Sequence, residues 1–252
     1  MQQVKAILCA DDWGFSPGIN EGILELARRG LLYSVSCAAN SDFLEFGLTE
    51  LLTYQEVGLK FNIHFNLTYK SPLNNLNSTL IDPRSKTNFY TFSKLIANIL
   101  LSRVSTNEVC NEFECQLIKL RDLKIPIEGL DGHHHIHLIP FIFKSIASRL
   151  TPNGIKNIRT MCDFEHKPTY LQGLYFSNFL SKYADGATVE SCGYILSKNI
   201  ISMNTLRKKL SRFNYLIVHP AKFNDFNKFN MTDPLQDERI NELNALLRYF
   251  ND

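Results

Sequence analysis

Short apolar runs and segments with helical spacing alternate along this chain from beginning to end, and this order constrains the fold more than any other feature. Parallel strands need long connections between them, so a repeating strand and helix order produces a parallel sheet with helical crossovers. We therefore predict an α/β fold. The predicted strands are Lys5–Ala10, Tyr33–Ala39, Val57–Ile63, a strand that leads into Asp131, Ile155–Met161 and Leu216–Val218.

The helices are predicted from their start and stop signals. Ser16 and Pro17 offer an N-cap and a proline at the first helical position, and Gly30 offers a stop. The segment Ser105 to Glu108 fits a capping box that opens a helix through Leu123. Further helices are predicted at Pro140–Leu150 and Asp237–Phe250.

The composition is that of a globular protein, with 44% hydrophobic and 21% charged residues in 252. No linker or repeat divides the chain, so we expect one domain over residues 1–252. A net charge of +2 without runs of like charge argues against binding of nucleic acid. We find no targeting signal and no apolar stretch long enough for a transmembrane segment, and we therefore expect a cytoplasmic protein.

The cysteines are scattered without a CxxC pair, and several lie inside apolar runs. This pattern favours buried free thiols over disulfides or a thiolate metal site. The six are Cys9, Cys37, Cys110, Cys115, Cys162 and Cys192.

The polar stretch from Tyr69 to Phe92 is longer than most connections in compact domains. It is interpreted either as a functional loop or lid that contributes to substrate choice, or as a mobile surface insertion.

Residues with useful chemistry lie at or near the ends of the predicted strands. Loops that follow parallel strands converge on one face of a sheet or barrel, so we expect these side chains to form one site. They are Asp11, Asp12, His64, Asp131, His133, Arg159 and His219.

Two adjacent carboxylates, Asp11 and Asp12, come directly after the first apolar strand. Charges at the end of a buried strand need a partner, which implies something cationic. Neighbouring residues in an extended backbone point to opposite sides, so one carboxylate could bind a metal while the other acts as a general base. Helix capping or a salt bridge explains such a pair equally well.

Residues 133–137 hold four of the chain's seven histidines, a density that packing does not require. An extended segment would place His133, His135 and His137 on one face, whereas a helix would bring His133 and His137 together. Either geometry favours metal binding or catalysis. A single histidine such as His64 is more typical of a structural residue. It becomes a candidate for the site because the histidine cluster occurs in the same chain.

One carboxylate and two imidazoles with open coordination positions would polarise a carbonyl and acidify water, which is the chemistry of a hydrolase. His219 could donate a proton to a leaving amine. Arg159 could orient a carboxylate or lock a catalytic aspartate through a bidentate contact. For both His219 and Arg159, a purely structural role fits the sequence about as well as these chemical roles.

Four motifs, in the same order, resemble those of the YdjC-like carbohydrate deacetylases of the ChbG and HpnK type, and the resemblance spans most of the chain. The family patterns are A-D-D-[FW]-G-x-S-x-G-x-N, H-x-N-L-T, D-S-H-x-H-x-H and H-P-[AG]. Gly132 departs from them where serine is usual, which removes a hydroxyl beside the site. The matching segments are Ala10–Asn20, His64–Thr68, Asp131–His137 and Val218–Ala221.

This resemblance implies a (β/α) barrel, distorted or with fewer than eight strands, related to the NodB-type polysaccharide deacetylases. It implies one divalent metal ion held by Asp12, His64 and His133, with Asp11 as the base and His219 as the acid. Mg²⁺ is the ion that the family implies, although imidazole ligands suit Zn²⁺ or another transition metal better. Residues predicted to bind substrate or to support the ligands are Arg159, His135, His137 and Asn66.

The implied reaction removes the acetyl group from an N-acetylated amino sugar in a chito-oligosaccharide or a glycolipid. Two alternatives stay open: hydrolysis of another amide or a phosphoester, and glycan binding without catalysis. The 18 phenylalanines and 10 tyrosines leave room for the interface of a homodimer or for a surface that stacks on sugars.

Overall fold

The structure is a computed structural model that describes residues 7–74, 78–161, 167–184, 186–194, 214–223 and 235–251. Within these ranges seven parallel strands form a closed barrel in chain order. This confirms the predicted α/β barrel, which was expected to be distorted or to have fewer than eight strands. The strands are β1 (Leu8–Trp13), β2 (Leu32–Cys37), β3 (Lys60–Phe65), β4 (Ile127–Gly132), β5 (Asn157–Met161), β6 (Thr188–Tyr194) and β7 (Leu216–Val218).

Helices connect the strands, as the alternation predicts. They are α1 (Pro17–Arg28), α2 (Leu48–Thr53), α3 (Phe92–Leu100), α4 (Thr106–Asp122), α5 (Pro140–Leu150), α6 (Lys167–Tyr183) and α7 (Gln236–Asn251). Short 3₁₀ helices cover Tyr54–Val57, His133–Leu138 and Thr151–Asn153. No helix in the described ranges combines the length and the apolar character needed to cross a membrane.

A single large apolar core joins the strands to the surrounding helices. Its fully buried members include Trp13 on β1, Phe61 and Phe65 on β3, Phe113 on α4 and Phe143 on α5. Burying side chains of this size is the main favourable contribution to folding, and it fixes the barrel strands whose ends carry polar residues.

The signals for α1 are confirmed. Oγ of Ser16 accepts a hydrogen bond from the backbone N of Ile19 at 3.2 Å, and Pro17 opens the helix. Gly30 follows its end with φ +67°, a left-handed conformation that glycine adopts without strain.

The predicted capping box at Ser105 is wrong, although α4 begins at Thr106 as expected. The side chain of Ser105 makes no capping hydrogen bond. Glu108, its intended partner, instead accepts hydrogen bonds from Ser78 and Thr79 of the preceding loop. The loop competes for the carboxylate that the capping box requires.

Two strand boundaries also differ from the prediction. Val57 belongs to a 3₁₀ helix, and Gly58 with φ +96° reverses the chain, so β3 begins only at Lys60. The first strand runs through the two aspartates to Trp13, while residues 1–6 lie outside the described part. The cysteines at 9, 37, 110, 115 and 192 are free thiols, as predicted, but only those at 9, 37 and 192 are buried; Cys162 is outside the described residues.

The described part of the stretch 69–92 is fastened to α4 by two carboxylates one helical turn apart. Glu112 accepts hydrogen bonds from the backbone N of Leu73 and of Asn74, each at 3.0 Å. Glu108 accepts one from Oγ of Ser78 at 2.8 Å. These contacts favour a positioned loop over a loose insertion, and its part in substrate choice stays a prediction.

Candidate metal centre

The predicted site residues collect at the carboxyl ends of the barrel strands, as expected for this fold. Asp11 and Asp12 lie near the end of β1, and His64 lies near the end of β3. Asp131 lies near the end of β4, and His219 directly follows β7.

Three of these side chains converge on one point. Oδ1 of Asp12 lies 3.1 Å from Nε2 of His64 and 3.4 Å from Nδ1 of His133. One possible ligand atom from each residue lies within 4.8 Å of the other two. The structure thus brings together the three residues that the resemblance implies as metal ligands.

The carboxylate of Asp12 tests whether a cation fits this point. Its Oδ2 accepts a hydrogen bond from Arg239 at 2.7 Å, whereas its buried Oδ1 makes no hydrogen bond of normal geometry with any described residue. A buried carboxylate oxygen without a well-formed hydrogen bond is costly. A divalent cation shared with the rings of His64 and His133 would satisfy it, so these residues fit a metal ion.

The charge balance points the same way. Burial alone would lower the pKa of His64, but the carboxylates of Asp12 and Asp131 raise it to about 10. Among five buried charged groups that contact one another here, three carboxylates face two guanidinium groups, which leaves one negative charge for histidine or a bound cation. These five groups are Asp11, Asp12, Asp131, Arg159 and Arg239.

Asp131 orients the ring of His64. Its Oδ1 lies 2.6 Å from Nδ1 of His64, and its Oδ2 accepts hydrogen bonds from Ser36 at 2.5 Å and Asn62 at 3.0 Å. Burial opposes the charge on Asp131, but Arg159 and His64 hold the pKa of its carboxyl below the usual range. A carboxylate only accepts hydrogen bonds, so Asp131 keeps a hydrogen on Nδ1 of His64 and leaves Nε2, towards Asp12, as the nitrogen that a cation would bind in place of a proton.

Asp11 is held by Arg159 in a bidentate contact, one of the roles that the sequence left open for this arginine. Nη1 and Nη2 of Arg159 donate to Oδ1 and Oδ2 of Asp11, each at 2.6 Å. Nε2 of His219 lies 3.9 Å from Oδ2 of Asp11. Burial lowers the pKa of His219 to about 4, so its imidazole is neutral at neutral pH.

The family and the relatives of this chain were found by comparison with known proteins. The model of the family described as YdjC-like protein matches residues 5–248. The chain belongs to this family. A carbohydrate deacetylase of Listeria monocytogenes serotype 4b (strain CLIP80459) is 31% identical over 199 residues, which cover 78% of this chain and 76% of the relative. A chitooligosaccharide deacetylase of Yersinia pestis (strain Pestoides F) is 30% identical over 143 residues, 56% of this chain and 54% of the relative.

The fold of this YdjC-like protein also matches a solved structure. A crystal structure from Enterococcus faecalis V583, named as a candidate cellobiose-phosphate cleavage protein, aligns with a TM-score of 0.77 at 21% identity. The alignment covers 99% of this chain and 94% of the other. At this identity the likeness supports the barrel architecture alone.

The backbone of the YdjC-like aspartate pair differs from the prediction. Both residues lie within β1, and the pairing of β1 with β2 shifts register between Ala10 and Trp13. Asp12 has φ +70°, a left-handed conformation that aspartate tolerates better than most residues. This irregularity, rather than simple strand alternation, directs Asp12 to His64 and leaves Asp11 to Arg159.

The histidine cluster of the YdjC-like motif is neither extended nor an α-helix, so both predicted geometries are wrong. His134 and His135 have left-handed φ values of 51° and 54°, which are not helical and kink the segment His133–Leu138. Only His133 joins the group of possible ligands. Nε2 of the buried His137 lies 2.7 Å from the backbone O of Arg159. Burial lowers the pKa of His135 well below its usual value.

Asn66 supports the loop that follows β3. Its Nδ2 donates to Oδ1 of Asn40 and to the backbone O of Tyr69, at 2.9 and 2.8 Å. Its Oδ1 accepts from the backbone N of Thr68 and of Tyr69, each at 3.0 Å. These four bonds use the hydrogen-bonding capacity of the amide, so Asn66 holds this loop in place, and its predicted part at the site stays a prediction.

Sequence reasoning missed the role of one residue of this site and the presence of another. It placed Asp131 among the site residues without a role, although His64 and Asp131 are direct partners in the register of β3 and β4. Arg239 on α7 was not identified at all. It contacts Asp12 across 227 positions of sequence, and no local pattern marks it.

Proposed function

We propose that this YdjC-like protein is a metal-dependent hydrolase that removes the acetyl group from an N-acetylated amino sugar of the chito-oligosaccharide or glycolipid type. The convergence of Asp12, His64 and His133 beside the buried carboxylate of Asp11 carries this proposal. The names of the Listeria and Yersinia relatives support the substrate class.

A divalent cation held by Asp12, His64 and His133 would polarise the amide carbonyl and lower the pKa of water. One carboxylate oxygen and two imidazole nitrogens favour Zn²⁺ or another transition metal, whereas Mg²⁺ prefers oxygen ligands. The donor set therefore supports the alternative to the Mg²⁺ that the family resemblance implies.

Asp11 is the proposed general base. Arg159 holds both of its oxygens, so the orientation of the carboxylate is fixed before substrate arrives. Each oxygen has a further lone pair, and Asp11 takes a proton from the water that attacks the acetamide carbon.

His219 is the proposed proton donor to the leaving amine. Because its imidazole is neutral at neutral pH, it must gain a proton before it can give one. The carboxylate of Asp11 lies 3.9 Å away, a separation that a small movement or one water molecule bridges. His219 then protonates the nitrogen as the C–N bond breaks, and the products are acetate and a free amino sugar.

Acetate release from N-acetylglucosamine oligomers tests the proposal, with p-nitrophenyl phosphate as the phosphoester comparison. The protein is purified without a histidine tag and its bound metal is analysed. We expect acetate release that chelation abolishes and a divalent metal restores. Preference for the phosphoester, or full activity after complete metal removal, would contradict the proposal.

The variant Asp11→Asn separates metal binding from catalysis. We expect it to retain metal and to lose about a hundredfold or more of the rate, because a positioned base contributes on that order. A wild-type rate would remove Asp11 from the mechanism. Glycan binding without acetate release by the wild-type protein would instead support the non-catalytic alternative.

A further inference from the structure

A row of aromatic rings leads from the candidate metal centre towards the surface. The ring of Phe15 lies 4.9 Å from that of His133, between ring centroids, and the ring of His133 lies 4.0 Å from that of His134. The ring of Phe92 lies 5.8 Å beyond His134. Phe15 is buried, His133 is partly exposed and His134 is exposed, so the row opens outwards.

The position of His134 is set by the structure around it. Its backbone is left-handed, with φ 51°, and forms part of a kink directly after the candidate ligand His133. Its Nδ1 lies 2.9 Å from Oγ1 of Thr68, in the loop after β3. Its Nε2 has no hydrogen-bond partner among the described residues and can address a ligand.

Phe92 supplies a large apolar ring next to this imidazole. It is the first residue of α3 and is 40% exposed. An ion pair between Lys94, in the first turn of α3, and Asp82 ties this helix to the loop 69–92. The ring is therefore held at the rim of the site by contacts that do not involve it.

Phe92 and His134 together offer groups that complement the surface of one sugar unit. A pyranose has an apolar face of C–H groups, which packs on an aromatic ring, and a rim of hydroxyls, which need hydrogen-bonding groups. A lone exposed phenylalanine is ordinary on a protein surface. Phe92 differs because its ring contacts that of His134, which in turn contacts that of His133 at the site.

We propose that Phe92 and His134 form a subsite for the sugar unit next to the one that carries the reacting acetyl group. This inference rests on the proposed deacetylation and deepens it. The substrate is then at least a disaccharide, with its N-acetyl group at Asp12, His64 and His133. Phe92 and His134 determine specificity for chain length rather than the chemical step.

The test compares N-acetylglucosamine with its β-linked disaccharide and trisaccharide as substrates. For Phe92→Ala we expect the KM of the disaccharide to rise about tenfold, with its kcat within about twofold of wild type. Kinetics on the monosaccharide stay unchanged. His134→Asn, which tolerates the left-handed backbone but removes the ring, has the same direction of effect.

Leu100→Ala is the matched control. Leu100 lies on the same helix and is 79% exposed, but it has no place in the row of rings. We expect it to leave the KM of every substrate unchanged. Loss of chain-length preference in this variant, or an equal effect of Phe92→Ala on monosaccharide and disaccharide, would overturn the subsite.

A binding measurement separates failure of the subsite from failure of the proposed function. The disaccharide and the monosaccharide are titrated calorimetrically into Asp11→Asn protein, with and without Phe92→Ala, after circular dichroism has shown that both are folded. Weaker binding of the disaccharide alone supports the subsite, even if the wild-type protein releases no acetate. Unchanged binding of the disaccharide overturns it, whatever the activity.

Discussion

Nδ1 of His64 lies 2.6 Å from Oδ1 of Asp131, and the two residues are direct partners in the register of β3 and β4. The opposite nitrogen of the same ring lies 3.1 Å from Asp12. The imidazole therefore joins a buried carboxylate that fixes its tautomer to a carboxylate that can bind a cation. Such a partner behind a histidine ligand raises its basicity and holds its ring in place.

Asp131→Asn removes the negative charge behind His64 while keeping the shape of the side chain. We expect the affinity for a divalent metal to fall about 10- to 100-fold, because this is the typical cost of losing such a partner. Competition with a chromophoric chelator measures the affinity. Glu128→Gln, on the same strand but partly exposed and paired with Lys156, is the control that leaves it unchanged. Equal affinity in Asp131→Asn would show that His64 does not bind the metal with this support.

Arg159 contacts two buried carboxylates, bidentately at Asp11 and at 3.3 Å from Asp131. Arg159→Met leaves both charges without this partner, and we expect a loss of about 3–5 kcal/mol in the free energy of unfolding. Arg159→Lys keeps the charge but lacks the planar fork, so it destabilises less and still lowers the acetate-release rate about tenfold or more.

Urea unfolding and acetate-release kinetics check these two variants together. Arg149→Lys, at an exposed ion pair with Glu114, is the control for a change from arginine to lysine. The positioning role of Arg159 is wrong if Arg159→Lys releases acetate at the wild-type rate.

Much of this arrangement follows from the sequence because it depends on local signals. The alternation of segments predicts parallel strands, and the aspartate and histidine motifs fall at or near their ends, whereas Arg159 lies in the middle of β5. β6 escaped prediction because it does not read as an apolar strand: Glu190, in its middle, lies 3.3 Å from the hydroxyl of Tyr33 on β2. Polar residues inside a barrel conceal a strand from a search for apolar runs.

The positions of individual site residues depend on backbone conformations that no glycine or proline at those positions indicates. Asp12, His134 and His135 all have positive φ values, which most residues avoid. Tertiary contacts hold these conformations, and strain of this kind gathers at functional sites. Sequence patterns therefore identified His133 as part of a cluster but gave the wrong path for the chain through it.

The pH dependence of stability tests the carboxylate that fastens the loop 69–92. Burial raises the pKa of Glu112, against hydrogen bonds from Gln116, Leu73 and Asn74. Folding therefore favours its protonated form. The contribution of protonated Glu112 to stability is fully present below the pKa that Glu112 has in the unfolded chain. It is lost as pH rises through the raised pKa of Glu112 in the folded protein.

Glu112→Gln removes this titration, although the variant also loses hydrogen bonds at every pH. We expect the difference in unfolding free energy between wild type and variant to shift in favour of the variant as pH rises from about 4 to about 7. Urea denaturation across this range measures it. Glu114→Gln, on the same helix and partly exposed, is the control with a flat difference. A flat difference for Glu112→Gln as well would contradict the prediction.

Gly132, where the family pattern has serine, leaves a gap in the polar contacts behind the site. A Cβ added there would lie 3.0 Å from Nδ1 of the buried His137 and 3.0 Å from the backbone O of Phe65, a tight but not prohibitive fit. That Nδ1 has no hydrogen-bond partner among the described residues. The backbone of Gly132 is extended, with φ −165°, so a side chain adds no backbone strain.

Substitution at Gly132 should therefore depend on the hydroxyl. We expect Gly132→Ala to lower the free energy of unfolding by about 1–2 kcal/mol, because the methyl group crowds His137 and Phe65. In Gly132→Ser the hydroxyl can donate to Nδ1 of His137, which offsets about 1 kcal/mol of that loss. Urea denaturation of the two variants measures the difference. A serine variant as unstable as the alanine variant would mean that His137 does not need this hydrogen bond.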